Sequence, residues 1–241
     1  MSGQNDTLAP GKRPKWESDP IVAVAASTLT ATSPGRPVID IKPDDGAPAF
    51  LAASTNPHSA GRYPLGRIFT VGDEATIRES DLISGVEVRI YALRVTLVDT
   101  EAGRIEINNG NYVADLMGNY LKTEDAVFSV PLQFAPAELF VGKKWRAAFR
   151  RNDKFGPSST YIDFHIPRRE KIVVPAGEFN AFRLEGEGWN TGGPRIERVH
   201  WLVPGLNFEI KQERIVRLRT GHYFAADRRE LVSLRQQAIG L

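Results

Sequence analysis

Two apolar runs joined by Val174-Pro175-Ala176-Gly177 constrain this chain more than any other feature. Pro175 fixes one backbone angle and Gly177 frees another, so the flanking runs at 170–174 and 178–183 reverse on each other. From residue 63 onward apolar residues recur at a spacing of two, and no long segment holds a helical period. The spacing predicts an all-β chain, an antiparallel curved sheet or open β-barrel.

Strands are expected at 160–166, 169–174, 178–188, 195–203, 208–219 and 230–236. Earlier, Asn109-Gly110 is the strongest hairpin signal, because both central residues of such a turn need positive φ. It joins 104–108 to 111–117. Between 86 and 98 the apolar positions run Val86, Val88, Ile90 and then Leu93, Val95, Leu97, a parity slip that predicts a bulge. Residues 1–60 are rich in Ser, Thr, Ala, Pro and Gly and read as a flexible tail or linker, with Val38-Ile39-Asp40-Ile41 able to add as an edge strand. The β domain is expected over 61–241. An echo between 69–78 and 140–150 suggests two related halves, about 61–135 and 136–241, or chance similarity of a common strand entry.

With 241 residues, of which 41% are apolar, the chain can bury a core without staples. It has no cysteine, which excludes disulfides, a thiol nucleophile and a cysteine metal site. Residues 141–241 carry 19 Lys+Arg against 11 Asp+Glu, a net +8, while residues 1–140 carry 12 against 18, a net −6. The interleaving of Arg with Glu reads as a solvated β surface with arginine on its wet face. No apolar run approaches the ~20 residues of a membrane-spanning helix. The run at 21–26 is too short and its approach too polar for a secretory signal.

The four histidines, His58, His165, His200 and His222, form no metal-binding spacing, so no metal and no cofactor are expected. His165 and His200 read as strand-surface or strand-end positions. Arg183, Glu185, Glu187 and Trp189 share one strand face and Phe182 and Leu184 the other. Two carboxylates at i,i+2 point the same way, about 6.5–7 Å apart. A glycosidase needs them on opposite sides of a bond, so these read as cross-strand partners of arginine. Gly186 and Gly188 read as strand relief. Lys211, Arg217 and Arg219 are placed on one face as a candidate surface for an anionic partner, interrupted by Glu213. No aromatic interleaving points to nucleic acid. Trp145, Trp189, Trp201, Phe182 and Phe208 are candidates to line a ligand pocket inside a curved sheet, or else simply fill its core.

The corner Val174-Pro175-Ala176-Gly177-Glu178-Phe179, followed by Trp201-Leu202-Val203-Pro204-Gly205 and Ile210-Lys211-Gln212-Glu213, resembles the DUF3108-like uncharacterised bacterial β domains. The resemblance spans about residues 64–236. It implies a curved antiparallel sheet or open barrel, commonly in exported proteins of Gram-negative bacteria, and no established activity.

These features point to a non-enzymatic, envelope-associated β module for binding or assembly. Its location is then periplasmic or envelope-associated, with cytoplasmic as the alternative. A protein partner or an apolar small molecule is the expected partner. One alternative is a carrier holding a lipid or other apolar ligand inside the curved sheet. The other is a hydrolase or hydrolase accessory domain drawing on His165, His200, Glu185 or Asp163.

Overall fold

A computed structural model describes residues 38–42 and 61–237. The tail expected over 1–60 therefore lies, apart from residues 38–42, outside the described residues. All regular structure described is β. The first strands are β1 (Val38–Ile41), β2 (Tyr63–Pro64), β3 (Glu74–Asp81), β4 (Glu87–Asp99) and β5 (Arg104–Ile107). Then come β6 (Tyr112–Asp115), β7 (Tyr120–Thr123), β8 (Ala126–Phe128), β9 (Glu138–Leu139) and β10 (Lys144–Asp153). The long strands close the chain: β11 (Gly156–Val174), β12 (Gly177–Asn190), β13 (Arg195–Leu202), β14 (Lys211–Arg217) and β15 (Tyr223–Gln237).

The strands pair antiparallel with their chain neighbours from β3 to β8 and from β10 to β15, and β8 pairs with β10. Because β15 also pairs with β3, these twelve strands close into a barrel. The expected all-β antiparallel architecture is present, and its twelve-strand ring is closed, with β1 added beside β15. One edge of β15 is covered in three steps. β14 pairs with residues as far as Glu230, Ile210 and Ala176 meet Leu231, and β1 pairs with 234–237. The Pro-Ala-Gly corner thus does more than reverse the chain: the Ala176 N–H donates to the Leu231 carbonyl at 3.1 Å. The short β2–β9 pair stands apart from the barrel sheet.

Several strands differ from their expectation for physical reasons. The runs at 160–166 and 169–174 are one strand, β11, with a register shift between His165 and Arg168 around Pro167, which cannot donate to the ladder. β4 is bulged within 86–98 as expected, but on either side of the parity slip: the register shifts at Val88 against β3 and at Thr96 against β5, while the pairing runs unbroken from Arg89 to Arg94. Val86, Val88 and Ile90 are exposed, and Leu93 and Val95 are buried. At the Asn109-Gly110 hairpin the positive φ extends over three residues, Asn108, Asn109 and Gly110. β14 is shorter than 208–219 and β15 begins seven residues before position 230.

One end of the barrel is plugged. Ile77, Leu93, Val95, Ile105, Ala114, Phe208 and Leu231 belong to one buried cluster there. Asn207 ties the plug together through its side chain. It accepts from the Ile68 N–H (3.0 Å) and donates to the Ile68 carbonyl (2.8 Å) and to Asp73 Oδ2 (2.8 Å). Burial pushes the Asp73 carboxyl above its usual range, against the hydrogen bonds it accepts from Thr70, Gln237 and Asn207. Six hairpin turns, β3–β4, β5–β6, β7–β8, β10–β11, β12–β13 and β14–β15, point toward the other end, the mouth.

Candidate functional site

The inner wall near the mouth is charged. Side chains alternate between the two faces of a strand, so the register alone assigns neighbours on the inner face. One rung runs Gly186–Arg198–Arg214–Asp227–Asp81 across β12, β13, β14, β15 and β3. The next runs Leu184–His200–Gln212–Arg229–Glu79–Arg89 and ends on β4. Gly186 leaves room for the Phe164 ring, which a Cβ there would meet at 2.3 Å. Gly188 lets β12 lie against the Tyr161 carbonyl of β11, where a Cβ would sit 1.9 Å from the oxygen. Both glycines therefore serve close approach within the wall.

Five arginines, Arg89, Arg151, Arg198, Arg214 and Arg229, border a lumen cavity of about 160 Å³. Four have an acidic partner. Arg214 pairs with Asp227 at 2.6 Å and Arg151 with Asp153 at 3.0 Å. Glu79 serves both Arg89 at 3.0 Å and Arg229 at 3.6 Å. Arg198 is different. Among the described residues no hydrogen bond or ion pair reaches its guanidinium, and its Nε is buried without an acceptor. Its one close partner is the Phe134 ring, 4.6 Å below the guanidinium carbon. Burial, and then the like charge of Arg214, pull its pKa down to about 9, with partial relief from Asp227.

A second buried charge lies deeper. His200 is 1% exposed and sits against Phe134 and Phe164. Its Nδ1 is 2.9 Å from Glu209 Oε2. An ionised carboxylate only accepts, so this nitrogen carries the proton. Burial opposes the Glu209 charge, but His200, Arg67 and Arg198 outweigh it and hold the carboxyl below its usual range. Burial raises the Tyr120 hydroxyl, so it stays protonated beside the same cavity.

Toward the mouth the lumen opens into a cleft of about 800 Å³. Arg151, Arg198 and Arg214 border its inner part and Ile196, Val216, Phe155, Leu218 and Phe224 its apolar part. The cavity and the cleft share Arg151, Arg198 and Arg214. The arrangement joins fixed positive charge to apolar wall within a volume suited to a small molecule.

The residues singled out from sequence lie elsewhere for the most part. Phe182 is buried with Leu65, Leu139 and Leu202. Trp201 is buried on the face of β13 opposite His200, its Nε1 donating to Glu170 at 2.9 Å. Trp189 is on the outer face beside Tyr161. Trp145 stacks on Phe164 with ring centroids 5.2 Å apart, its Nε1 donating to the Gln133 carbonyl. Phe208 borders a small cavity of about 60 Å³ that also touches Tyr120, Glu209 and Arg229. Lys211 pairs with Glu213 and Arg217 with Glu197, while Arg219 lies past the end of β14. The hydrolase set does not converge. His165 meets Glu185 at 3.4 Å and Asp163 makes a two-bond pair with Arg146, all on the outer face, with His200 inside. His200 is thus neither a surface nor a strand-end residue, because its even-numbered position in β13 points inward.

The arginines that line the lumen were not singled out. One signal was present: Ile196, Arg198, His200 and Leu202 share the parity of an inward face. Among the described residues no group of acidic and histidine side chains is placed to hold a metal. No described helix is long and apolar enough to cross a membrane.

Neither a protein-family model nor a curated protein matches the chain. The likeness to DUF3108-like domains therefore has no support from a family model. Two solved structures are similar to it. One is a Bacteroides fragilis protein described as exported and of YmcC-like fold, with 13% identity and a TM-score of 0.47. That likeness covers 69% of this chain and 97% of the other. The second is the Escherichia coli lipoprotein YmcC, described as hypothetical, with 8% identity and a TM-score of 0.43, covering 71% of this chain and 87% of the other. Likenesses this loose carry nothing about what the chain does.

Proposed function

We propose that this protein is a non-enzymatic binding module that holds an amphiphilic anion in its barrel. The carboxylate or phosphate of the ligand lies against Arg198, and its apolar portion runs along Ile196 and Val216 toward the mouth. The observation that carries this reading is the Arg198 guanidinium, which borders the lumen with no hydrogen-bonded or ion-paired partner among the described residues, Asp227 and Glu209 acting on it only from beyond pairing distance. A buried cation without a partner is costly, and a planar guanidinium matches a carboxylate or phosphate with two parallel hydrogen bonds. Arginine also explains why binding is favoured over catalysis. It keeps its proton at neutral pH, so a wall of arginines holds charge and does not shuttle protons.

The reading refines the carrier alternative by giving the ligand a charge as well as an apolar part. The envelope location belongs to the same proposal, and fractionation of cells making the untagged chain tests it. The ligand is tested by calorimetric titration with decyl phosphate and with decanol. Decyl phosphate should bind and decanol should bind at least tenfold more weakly. Arg198→Met should reduce decyl phosphate binding by about 10- to 100-fold, the worth of one charged hydrogen-bond pair. Equal binding of the two probes, or an unchanged Arg198→Met, would overturn the proposal.

A further inference from the structure

The mouth carries a second feature that an interior ligand does not require. Phe155, in the β10–β11 turn, is 74% exposed, and Phe224, at the start of β15, is 57% exposed. The two rings meet across the mouth at 6.2 Å, edge to face, leaving their outer faces in solvent. Tyr223 and Leu218 continue the apolar rim, and Ile83 extends it onto the adjoining β3–β4 turn, where the Leu82 N–H donates to the Ala226 carbonyl. An isolated exposed apolar residue needs no explanation, but a contiguous rim of them around a cavity does.

The charged side chains that lie against these rings are cations. Lys154 lies 5.1 Å from the Phe155 ring and Arg217 lies 4.5 Å from the Tyr223 ring. Arg219 is exposed in the β14–β15 turn, across the Gly193 turn. Residues 154–155 and 217–224 include no carboxylate. Of the carboxylates around them, Asp153 is turned back to Arg151, Glu197 lies 3.6 Å from Arg217, and Asp81 accepts from the Ile83 and Ser84 N–H groups of its own turn. Aromatic residues interleaved with cations at the tips of hairpins match the chemistry of a bilayer interface. Rings settle at headgroup depth there, and each nearby Lys or Arg is drawn to anionic lipid.

We infer that the mouth docks on an anionic phospholipid bilayer, with Phe155 and Phe224 entering the headgroup layer and Lys154, Arg217 and Arg219 facing lipid phosphates. This goes beyond the lumen reading and stands on different residues, so the two fail separately. Docking would place the opening of the cleft against the membrane.

Flotation with the full chain tests the inference, using vesicles of phosphatidylcholine alone and vesicles containing about one-third phosphatidylglycerol. Binding to the anionic vesicles should exceed binding to the neutral ones by at least tenfold. It should weaken strongly at about 1 M salt, where screening acts within ~3 Å. The double variant Phe155→Ser/Phe224→Ser should lose at least tenfold in binding with an unchanged melting temperature, because both side chains are exposed. Arg198→Met should float as the wild type does. A Phe155→Trp variant should show blue-shifted emission with anionic vesicles only. Absence of flotation overturns the inference, as does flotation indifferent to the double substitution. A rim-mediated dimer that the double variant splits, without vesicle binding, would assign the rim to a second copy instead.

Discussion

Replacing Arg198 with methionine should make the empty protein more stable, an unusual result for a residue inside a barrel. Burial holds the guanidinium pKa at about 9, well below the usual arginine range. At ~1.36 kcal/mol per tenfold, its charge is disfavoured in the fold by about 5 kcal/mol at neutral pH. The sign follows from proton binding. Between the folded value and the higher unfolded one the folded chain binds fewer protons than the unfolded one, so the penalty is fully present at neutral pH and fades only as pH rises above about 9. Solvent reaching the lumen screens part of it. Loss of the contact with Phe134 costs about 1 kcal/mol, and methionine keeps the apolar stem. A net gain of about 2 kcal/mol remains, or about 4–8 °C in melting temperature for a chain of this size. Thermal and urea unfolding of the two proteins without added ligand measure it. If Arg198 were half of a structural ion pair, its removal would instead cost about 3–5 kcal/mol. A drop of that size would refute the argument that Arg198 waits for an external anion.

Three further outcomes follow from the same geometry. Asn207→Ala should destabilise the protein by about 3 kcal/mol in urea unfolding, since it leaves the Ile68 backbone groups and Asp73 without their buried partner. Gly188→Ala should cost more than Gly186→Ala. The first drives a methyl into the fixed Tyr161 backbone, while the second displaces the Phe164 ring at about 1–3 kcal/mol. For the His200–Glu209 pair, the carboxyl pKa is lowered in the fold, so its contribution is present above about 4.5 and is lost as pH falls through the lowered value. Glu209→Gln should therefore flatten the acid limb of the stability profile, measured by urea unfolding between about pH 3 and 6, and an unchanged limb would count against the pair.

The fold was legible wherever a strand hides apolar residues on one side. The Pro-Ala-Gly corner, β12 and the Asn109-Gly110 hairpin follow from turn chemistry and a spacing of two. The legibility ends at the mouth, because there the inner face is charged. In β4 the exposed Val88 and Ile90 carry the apolar spacing, and Arg89 between them points into the lumen. The parity slip nevertheless marks real register shifts in β4, at Val88 and Thr96, although not between Ile90 and Leu93. The first half of β15 was missed for the same cause: Asp227 and Arg229 face inward, so its apolar signal begins only near Leu231. Sequence reasoning put the arginines of the basic half on the wet surface. Arg146, Arg183 and Arg195 are on the outer wall with acidic partners, but Arg198, Arg214 and Arg229 line the lumen. Nothing local distinguishes the two sets. The difference lies in parity within strands whose boundaries must be known first, and in the closure of β15 on β3, a pairing of residues more than 140 positions apart. The aromatic residues chosen as pocket walls were selected for size, and size marks the packed part of a barrel as readily as its cavity.

The central claim is that Arg198 meets the anionic group of a ligand inside the barrel. A crystal structure of the protein grown with decyl phosphate tests it most directly. The account predicts phosphate oxygens about 2.7–2.9 Å from the Arg198 guanidinium, with the alkyl chain along Ile196 and Val216 toward Phe155 and Phe224. A phosphate bound only on the outer wall, or an Arg198 turned onto a carboxylate of the protein with the lumen closed, would contradict it.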